Sequence, residues 1–486
     1  MVRELRVVRH ACRPRPLSWF VMGLVLTAWA VHVQTAGAQA FRIGANFTGS
    51  TRNVNASFSP PDSMGAVGLD HVAELINGRF AVYDKSGATL QSKTLNAFWQ
   101  SSGAGFNGSF AFDPRILYDP FSQRYFATSV DNSHGNNNFL VAVSDSSDPT
   151  GGWSGFKLDS DADNTRWADF PTMGINGDAL VISANMFAQT NQVESQQVSL
   201  LAIPKSDLLA TTPTIANRTF LEDAGSGRFT LQPVVDMDNG TLPLPMLTAS
   251  RKDTGRLERL NVNGPINAMS LSFGPFIVVT ARGDPPNAEQ PGPKKDIDTS
   301  NNRFSGNVIL QDGSLWAAQG VSLNGRAAVE WYEIRESDNT IVQNGLISDT
   351  ELAYYYPSIA VNDFGDVVIG FSGSSENQFV STYAAVGRTN GGVTQFGDVT
   401  LLKAGVEDYQ ITDSSNRNRW GDYSATVLDP ANPLHFWTFQ ELVSADNQWS
   451  TQITQIVVPE PSMLALVILG GGLVLRPSRR ARFQRA

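Results

Sequence analysis

The strongest constraint on this chain is a phrase that it repeats. Residues 357–371, from Pro357 through Ile359 and Val361 to Phe371, read as a strand, a tight turn and a second strand. Ile359 and Val361 alternate with small or polar residues, and Asn362-Asp363-Phe364-Gly365 supplies the turn chemistry. Val367 to Phe371 is then rich in β-branched and aromatic residues. Residues 171–183, from Pro171 through Asn176-Gly177-Asp178 to Ser183, carry the closest copy. A small sheet of this kind cannot bury both faces alone, so the copies must pack on one another.

Seven copies can be counted. Their first strands open near Asp62, Asp113, Asp169, Gln232, Gly306, Pro357 and Gly421, and the fourth copy is degenerate. The spacing is roughly 50–70 residues, enough for a four-stranded blade of about 40–50 residues plus loops. The fold class expected is all-β: a β-propeller of about seven blades over residues 58–456. Radial packing leaves few open edges. A β-sandwich, or a pair of them, is the rival fold, but it does not predict the repeated phrase. Residues 41–57 are polar and turn-rich and read as an N-terminal extension. The proline-rich stretch Gly283–Asn302 reads as a loop inserted between the fourth and fifth blades.

Both ends of the chain carry targeting features. Residues 1–16 are arginine-rich, 17–33 are apolar, and Ala36-Gly37-Ala38 and Ala38-Gln39-Ala40 are small-residue cleavage sites. That order makes residues 1–40 a secretory signal peptide, with an uncleaved anchor as the other reading. The only cysteine, Cys12, lies inside it, so the remaining chain has neither disulfide nor thiol chemistry. Residues 457–486 place Pro459-Glu460-Pro461 before the apolar run Met463–Leu475 and an arginine cluster that includes Arg479 and Arg480. This resembles the PEP-CTERM sorting signal. The resemblance implies recognition by an exosortase-like membrane enzyme and a short C-terminal transmembrane helix before processing. It also implies delivery to the cell surface, envelope or extracellular biofilm matrix. A permanent C-terminal anchor is the alternative.

Charge excludes one class of partner. The formal net charge is −10, and setting aside the ten arginines and two glutamates of the two tails leaves 26 basic and 44 acidic residues, a net −18. A surface of that sign repels nucleic acid.

Three groups of residues could carry chemistry. Ser146-Ser147-Asp148-Pro149-Thr150-Gly151-Gly152-Trp153 resembles the Asp-box turn of sialidase-like propellers, departing from it at Thr150 and Gly152. In that family the box is a structural turn between outer strands. Asp159, Asp161 and Asp163 stand two apart, as carboxylates do where an EF-type loop opens. Asn164 and Phe170 stand where such a loop needs Gly and Glu, so the readings are a different Ca²⁺ turn or a solvated acidic loop. Ca²⁺ is the one cofactor the pattern admits.

The third group is the polar residues at the start of each first strand: Asp62, Asp113, Asp169, Arg303, Tyr356, Arg419 and Asp422. If that strand is innermost, they converge on one mouth of a central channel, where propellers bind ligands. Asp169, Arg303, Arg419 and Asp422 are the ligand-binding candidates. The competing reading has them tying blades together through buried ion pairs. Arg419-Trp420-Gly421-Asp422-Tyr423 is similar to tracts in exported bacterial propeller-like proteins. Two functions follow. One is a non-catalytic surface or matrix protein that binds envelope or matrix polysaccharide. The other is a sialidase-like or other glycoside hydrolase.

Overall fold

The computed structural model describes residues 41–460 except 109, 190–193, 226 and 251–253. The expected signal peptide and the apolar and arginine-rich parts of the sorting segment, with Pro461, Arg479 and Arg480, lie outside the described residues. Among the described residues no helix is long and apolar enough to cross a membrane.

The body is all-β, and its strands fall into seven antiparallel units that follow one another along the chain. The innermost strands are Gly65–Val67, Ala111–Asp119, Arg166–Ile175, Gln232–Asp236, Val308–Gln311, Ala353–Val361 and Ala425–Leu428. Each pairs with the next strand in sequence, which pairs with a third, and a fourth completes the unit. Neighbouring innermost strands contact one another in cyclic order, and the seventh also contacts the first. Those of the third, fourth and fifth units are close enough to bridge in parallel, Ile175 with Val235 and Val234–Asp236 with Val308–Leu310. The arrangement is propeller-like. Apolar faces are buried between adjacent units, as where Val130 and Phe139 of the second meet Met173 and Ile182 of the third.

The repeated phrase behaves as its residues dictate. In the sixth unit Asn362 accepts from the backbone N–H groups of Phe364 and Asp366, at 3.1 and 2.8 Å. Gly365 takes φ +76° to close the turn. The Asp-box-like stretch links the third and fourth strands of its unit, with the indole of buried Trp153 donating to Pro149 O at 3.0 Å. Residues 279–307 hold no strand beyond one isolated bridge, Ala288 with Ile297, consistent with an insertion.

One expectation is corrected. Residues 41–57 are not an extension: Arg42–Thr51 is a strand that pairs with Gln448–Val457. The seventh unit therefore takes its fourth strand from the N-terminal end of the body. A buried latch fastens this strand to the first unit. Ser50 and Tyr83 hydroxyls donate to Glu74 Oε2 at 2.6 and 3.0 Å, and Thr451 donates to Glu74 Oε1. Arg79 Nη1 lies 3.5 Å from Glu74 and donates to Gly49 O and Ser50 Oγ.

Glu74→Ala would leave Arg79 buried and unpaired and three hydroxyls without their acceptor. It should cost about 3–5 kcal/mol in a urea titration. A loss within the range of an exposed pair, about 0–1 kcal/mol, would show that the latch does not hold the ring.

Candidate functional site

The polar residues at the starts of the innermost strands do meet, and a backbone device brings them there. In the second, third and sixth units the strand bulges, with register breaks between Phe112 and Arg115, Asp169 and Thr172, and Tyr355 and Ser358. The residue inside each bulge is left-handed: Asp113 at φ +51°, Phe170 at +52° and Tyr356 at +52°. A proline follows each one. Asp62 and Thr230 take the same conformation in the first and fourth units, at +53° and +55°. For branched or bulky residues this is strained backbone, of order 1–3 kcal/mol apiece, and such strain clusters at functional sites. The bulge re-aims side chains at one end of the innermost strands.

Hydrogen bonds then run from unit to unit. Asn77 Nδ2 donates to Asp62 Oδ2 at 2.6 Å, while its carbonyl accepts from Asp113 N at 2.8 Å. Asp113 Oδ2 accepts from Phe170 N at 2.9 Å. Arg115 is fully buried and reaches Pro171 O at 2.9 Å and Ser305 O at 3.4 Å. Its guanidinium lies over the Tyr423 ring at 3.5 Å, and that of Arg303 over Phe170 at 4.0 Å. Tyr423 OH donates to Pro114 O at 3.1 Å.

The four candidates come together around one carboxylate and its neighbours. Arg303 Nη2 donates to Asp422 Oδ1 and Arg419 Nη2 to Asp422 Oδ2, both at 2.7 Å. Arg419 also lies 3.7 Å from Asp298 in the inserted loop. Asp169 and Asp113 are close enough for their charges to raise the Asp169 carboxyl. Arg303, Arg419 and Asp422 keep 13% of their side-chain surface exposed, and Asp169 is half-buried. The cluster is a recessed mouth rather than a sealed core.

Electrostatics divide the acids. Burial, then the charges of Asp422 and Asp113, push Asp62 well up. Burial and the charge of Asp113 push Asp169 well up. Burial pushes up Glu441, whose Oε1 accepts from Ser63 at 3.0 Å. Burial alone would raise Asp422 too, but Arg419 and Arg303 outweigh it and hold it below the usual range. Asp62 Oδ1, Arg115 Nη2, Asp298 Oδ2, Arg303 Nε and Glu441 Oε2 are buried without a hydrogen-bond partner. Such atoms are rare and mark positions for water or a ligand.

Sequence reasoning placed Asp62, Asp113, Asp169, Arg303, Tyr356, Arg419 and Asp422 at this mouth but missed Arg115, Glu441 and Asp298 as members. Arg115 follows Asp113 by two residues, but the bulge at Asp113 breaks the alternation that this spacing ordinarily marks. Glu441 comes from a second strand and Asp298 from the inserted loop, and nothing local singles them out.

The three calcium candidates sit elsewhere and are turned on their own backbone. Asp159 Oδ1 accepts from Asp161 N, Asp161 Oδ2 from Arg166 N, and Asp163 Oδ1 from Thr165 N, at 3.2, 2.7 and 3.0 Å. Among the described residues no group of three or more His, Cys, Asp or Glu stands ready to hold a metal ion.

No protein family matches the sequence, and no curated protein does. Among solved structures the chain is similar to a hypothetical selenium-binding protein from Sulfolobus tokodaii. The identity is 12%, the TM-score 0.42, and the match covers 76% of this chain and 82% of that one. Trypanosoma rangeli sialidase in complex with the inhibitor DANA matches at 12% identity and a TM-score of 0.37, over 88% of this chain and 62% of that one. A subtype N10 neuraminidase-like protein of A/little yellow-shouldered bat matches at 9% identity and a TM-score of 0.38, over 71% and 99%.

The raised acids make stability depend on pH. A carboxyl whose native pKa is raised stabilises fully below the ordinary value, about 4, and loses that contribution as pH climbs through the native value. Asp422, with its pKa lowered, has the opposite sign: its contribution is present above the ordinary value and lost as pH falls through the native one. Glu441→Gln should therefore match the wild type in acid and gain on it as pH rises toward neutrality. Melting temperatures of both proteins across that range test this, and a gap that does not change with pH refutes it.

Proposed function

We propose that the chain is an exported surface or matrix protein. Its body would be a seven-bladed β-propeller whose channel mouth binds a neutral, hydroxyl-rich ligand, such as a unit of envelope or matrix polysaccharide. The observation that carries this reading is the pairing of charges inside the mouth. Arg303 and Arg419 both face Asp422, and Arg419 also has Asp298 beside it. An anionic ligand would have to displace Asp422, whereas a polyol can use the remaining donors and acceptors without breaking an ion pair. Arg303 Nε, Asp62 Oδ1 and Glu441 Oε2 offer hydrogen bonds that no protein group takes.

The hydrolase alternative keeps one supporting observation. Asp169, pushed above the usual carboxylate range, lies near Asp422, held below it, and such a split is the division of labour that glycoside hydrolysis needs. The two roles separate in one set of measurements on the purified protein. Expected on a glycan array is binding to neutral glycans without turnover of chromogenic glycosides, weakened about 10-fold or more by Arg419→Ala, the cost of losing a charge-assisted hydrogen bond. Turnover that Asp169→Asn abolishes would replace the binder with an enzyme. Preference for sialylated or other anionic glycans would overturn the neutral-ligand reading.

The route to the surface is part of the proposal. The signal segment would be removed after Ala38 or Ala40. An exosortase-like enzyme would act at Pro459-Glu460-Pro461 while the C-terminal helix holds the chain in the membrane. Replacing those three residues by alanine should change the mass and the cell fraction of the product. Identical mass and distribution of the two forms would remove the sorting step.

A further inference from the structure

The end of the innermost strands opposite the polar mouth has a different chemistry. There the innermost strands line a cavity of about 330 Å³. Val67, Leu117, Val235, Ile309, Val361 and Val427 line it, from six of the seven units. Pockets that take small molecules start at roughly 300 Å³ and are mostly apolar with a few placed polar groups. A polar group of that kind is present. Asn307 lies on the wall, buried to 8% exposure, and its amide oxygen has no hydrogen-bond partner. A buried amide left so is costly unless something fills its place.

The lining also limits charge. No Lys, Arg or His contributes to it, while Asp363 and Asp429 stand among its residues. Both carboxylates already have partners: Asp363 accepts from Gln311, and Asp429 from Lys85 and the indole of Trp437. An anionic group entering here would meet two carboxylates and no cation in the lining itself, since Lys85 stands behind Asp429 and is already paired with it. The rest of the lining is mostly apolar, as in pockets that take small apolar molecules with a few placed polar contacts.

We propose that this cavity is a second ligand site, which takes a compact, uncharged, largely apolar molecule with one hydrogen-bonding group for the Asn307 amide. It is independent of the polar mouth and of whatever binds there. The nearest competitor for the space is the chain itself. Val458 N donates to Leu434 O at 2.9 Å, beside the lining residue Pro433, and residues 461–486 continue from there.

The test uses the full chain and two related fluorescent probes. N-phenylnaphthylamine is neutral and apolar with a single N–H; anilinonaphthalene sulfonate adds a fixed negative charge to a similar body. The expected result is saturable binding of one N-phenylnaphthylamine per chain, with the sulfonate at least about 10-fold weaker, as one lost or repelled polar contact implies. Val427→Phe, at a half-buried position, should fill the cavity and abolish binding. Asn307→Leu should weaken binding several-fold while keeping its volume filled. Circular dichroism melts confirm that each variant is folded. Equal affinity for the two probes, or binding unchanged in Val427→Phe and Asn307→Leu, overturns the proposal. Binding that appears only after truncation at Glu460 also overturns it, and assigns the cavity to the chain's own C-terminal segment.

Discussion

A ring of sheets is only as stable as its last joint, and here the joint is made by Arg42–Thr51. Every other unit is continuous in sequence, so its strands are held together by short connections as well as by hydrogen bonds. The seventh unit has no such connection to its fourth strand, which lies some four hundred residues away along the chain. Without it the third strand of that unit would present a long open edge, a template for pairing with other chains. Closing a loop of that length costs entropy that grows only slowly with length, so the ladder can offset it. The Glu74 latch adds specificity, because Ser50, Thr451, Tyr83 and Arg79 can meet one carboxylate in one register only.

That closure sets what the mouth can be. Once the innermost strands are confined to a ring, their entry ends lie close together and whatever they carry is crowded. Six acids and three arginines at this end would repel or collapse without defined geometry. The bulges provide it by turning Asp113, Phe170 and Tyr356 into left-handed conformations next to rigid prolines. The bracing role of these residues is visible in the contacts. Arg303 and Asp422 do tie the fifth unit to the seventh, and Arg115 ties the second to the third and fifth. The same residues still leave a recessed, partly exposed surface with unpaired polar atoms. Bracing does not exclude the binding proposed for this mouth, because the ion pairs that join the units also offset charge there.

The repeat and its turns were legible because their signals are local. Gly365, Asn362 and the alternation of Ile359 and Val361 act within a few residues of one another. The convergence at the mouth was legible for a related reason: a polar residue at a fixed repeat position must recur at a fixed place in a ring. The closing strand was not legible. Its residues are mostly exposed or half-buried at an outer edge, so it lacks a clean apolar alternation, and its glycines read as turn signals. Gly49 has another purpose. A Cβ there would come within 2.7 Å of Glu74 Oε1 and Thr451 Oγ1, so the residue permits close approach rather than a turn. Glu441 and Asp298 escaped because only the tertiary fold brings them to the mouth.

The innermost strands also grade the channel from one end to the other. In the seventh unit alternate residues run Asp422, Ser424, Thr426, Leu428, and in the fifth Arg303, Ser305, Asn307, Ile309. Charged groups come first, then a collar of small polar groups, then aliphatic side chains. Most of the collar is bonded within itself: Ser358 Oγ meets Thr426 Oγ1 at 2.8 Å and Ser424 Oγ at 2.9 Å, and Gln440 Nε2 donates to Thr438 Oγ1 at 2.8 Å, while the amide oxygens of Asn307 and Gln440 are left without a partner. A charged molecule moving inward would lose its partners at the collar and find none beyond it, which costs more than an apolar wall returns. An apolar molecule moving the other way would cover the hydroxyls and the ion pairs without replacing their water. The period-two alternation that builds each strand thus separates the two ends chemically, and each can be occupied without the other.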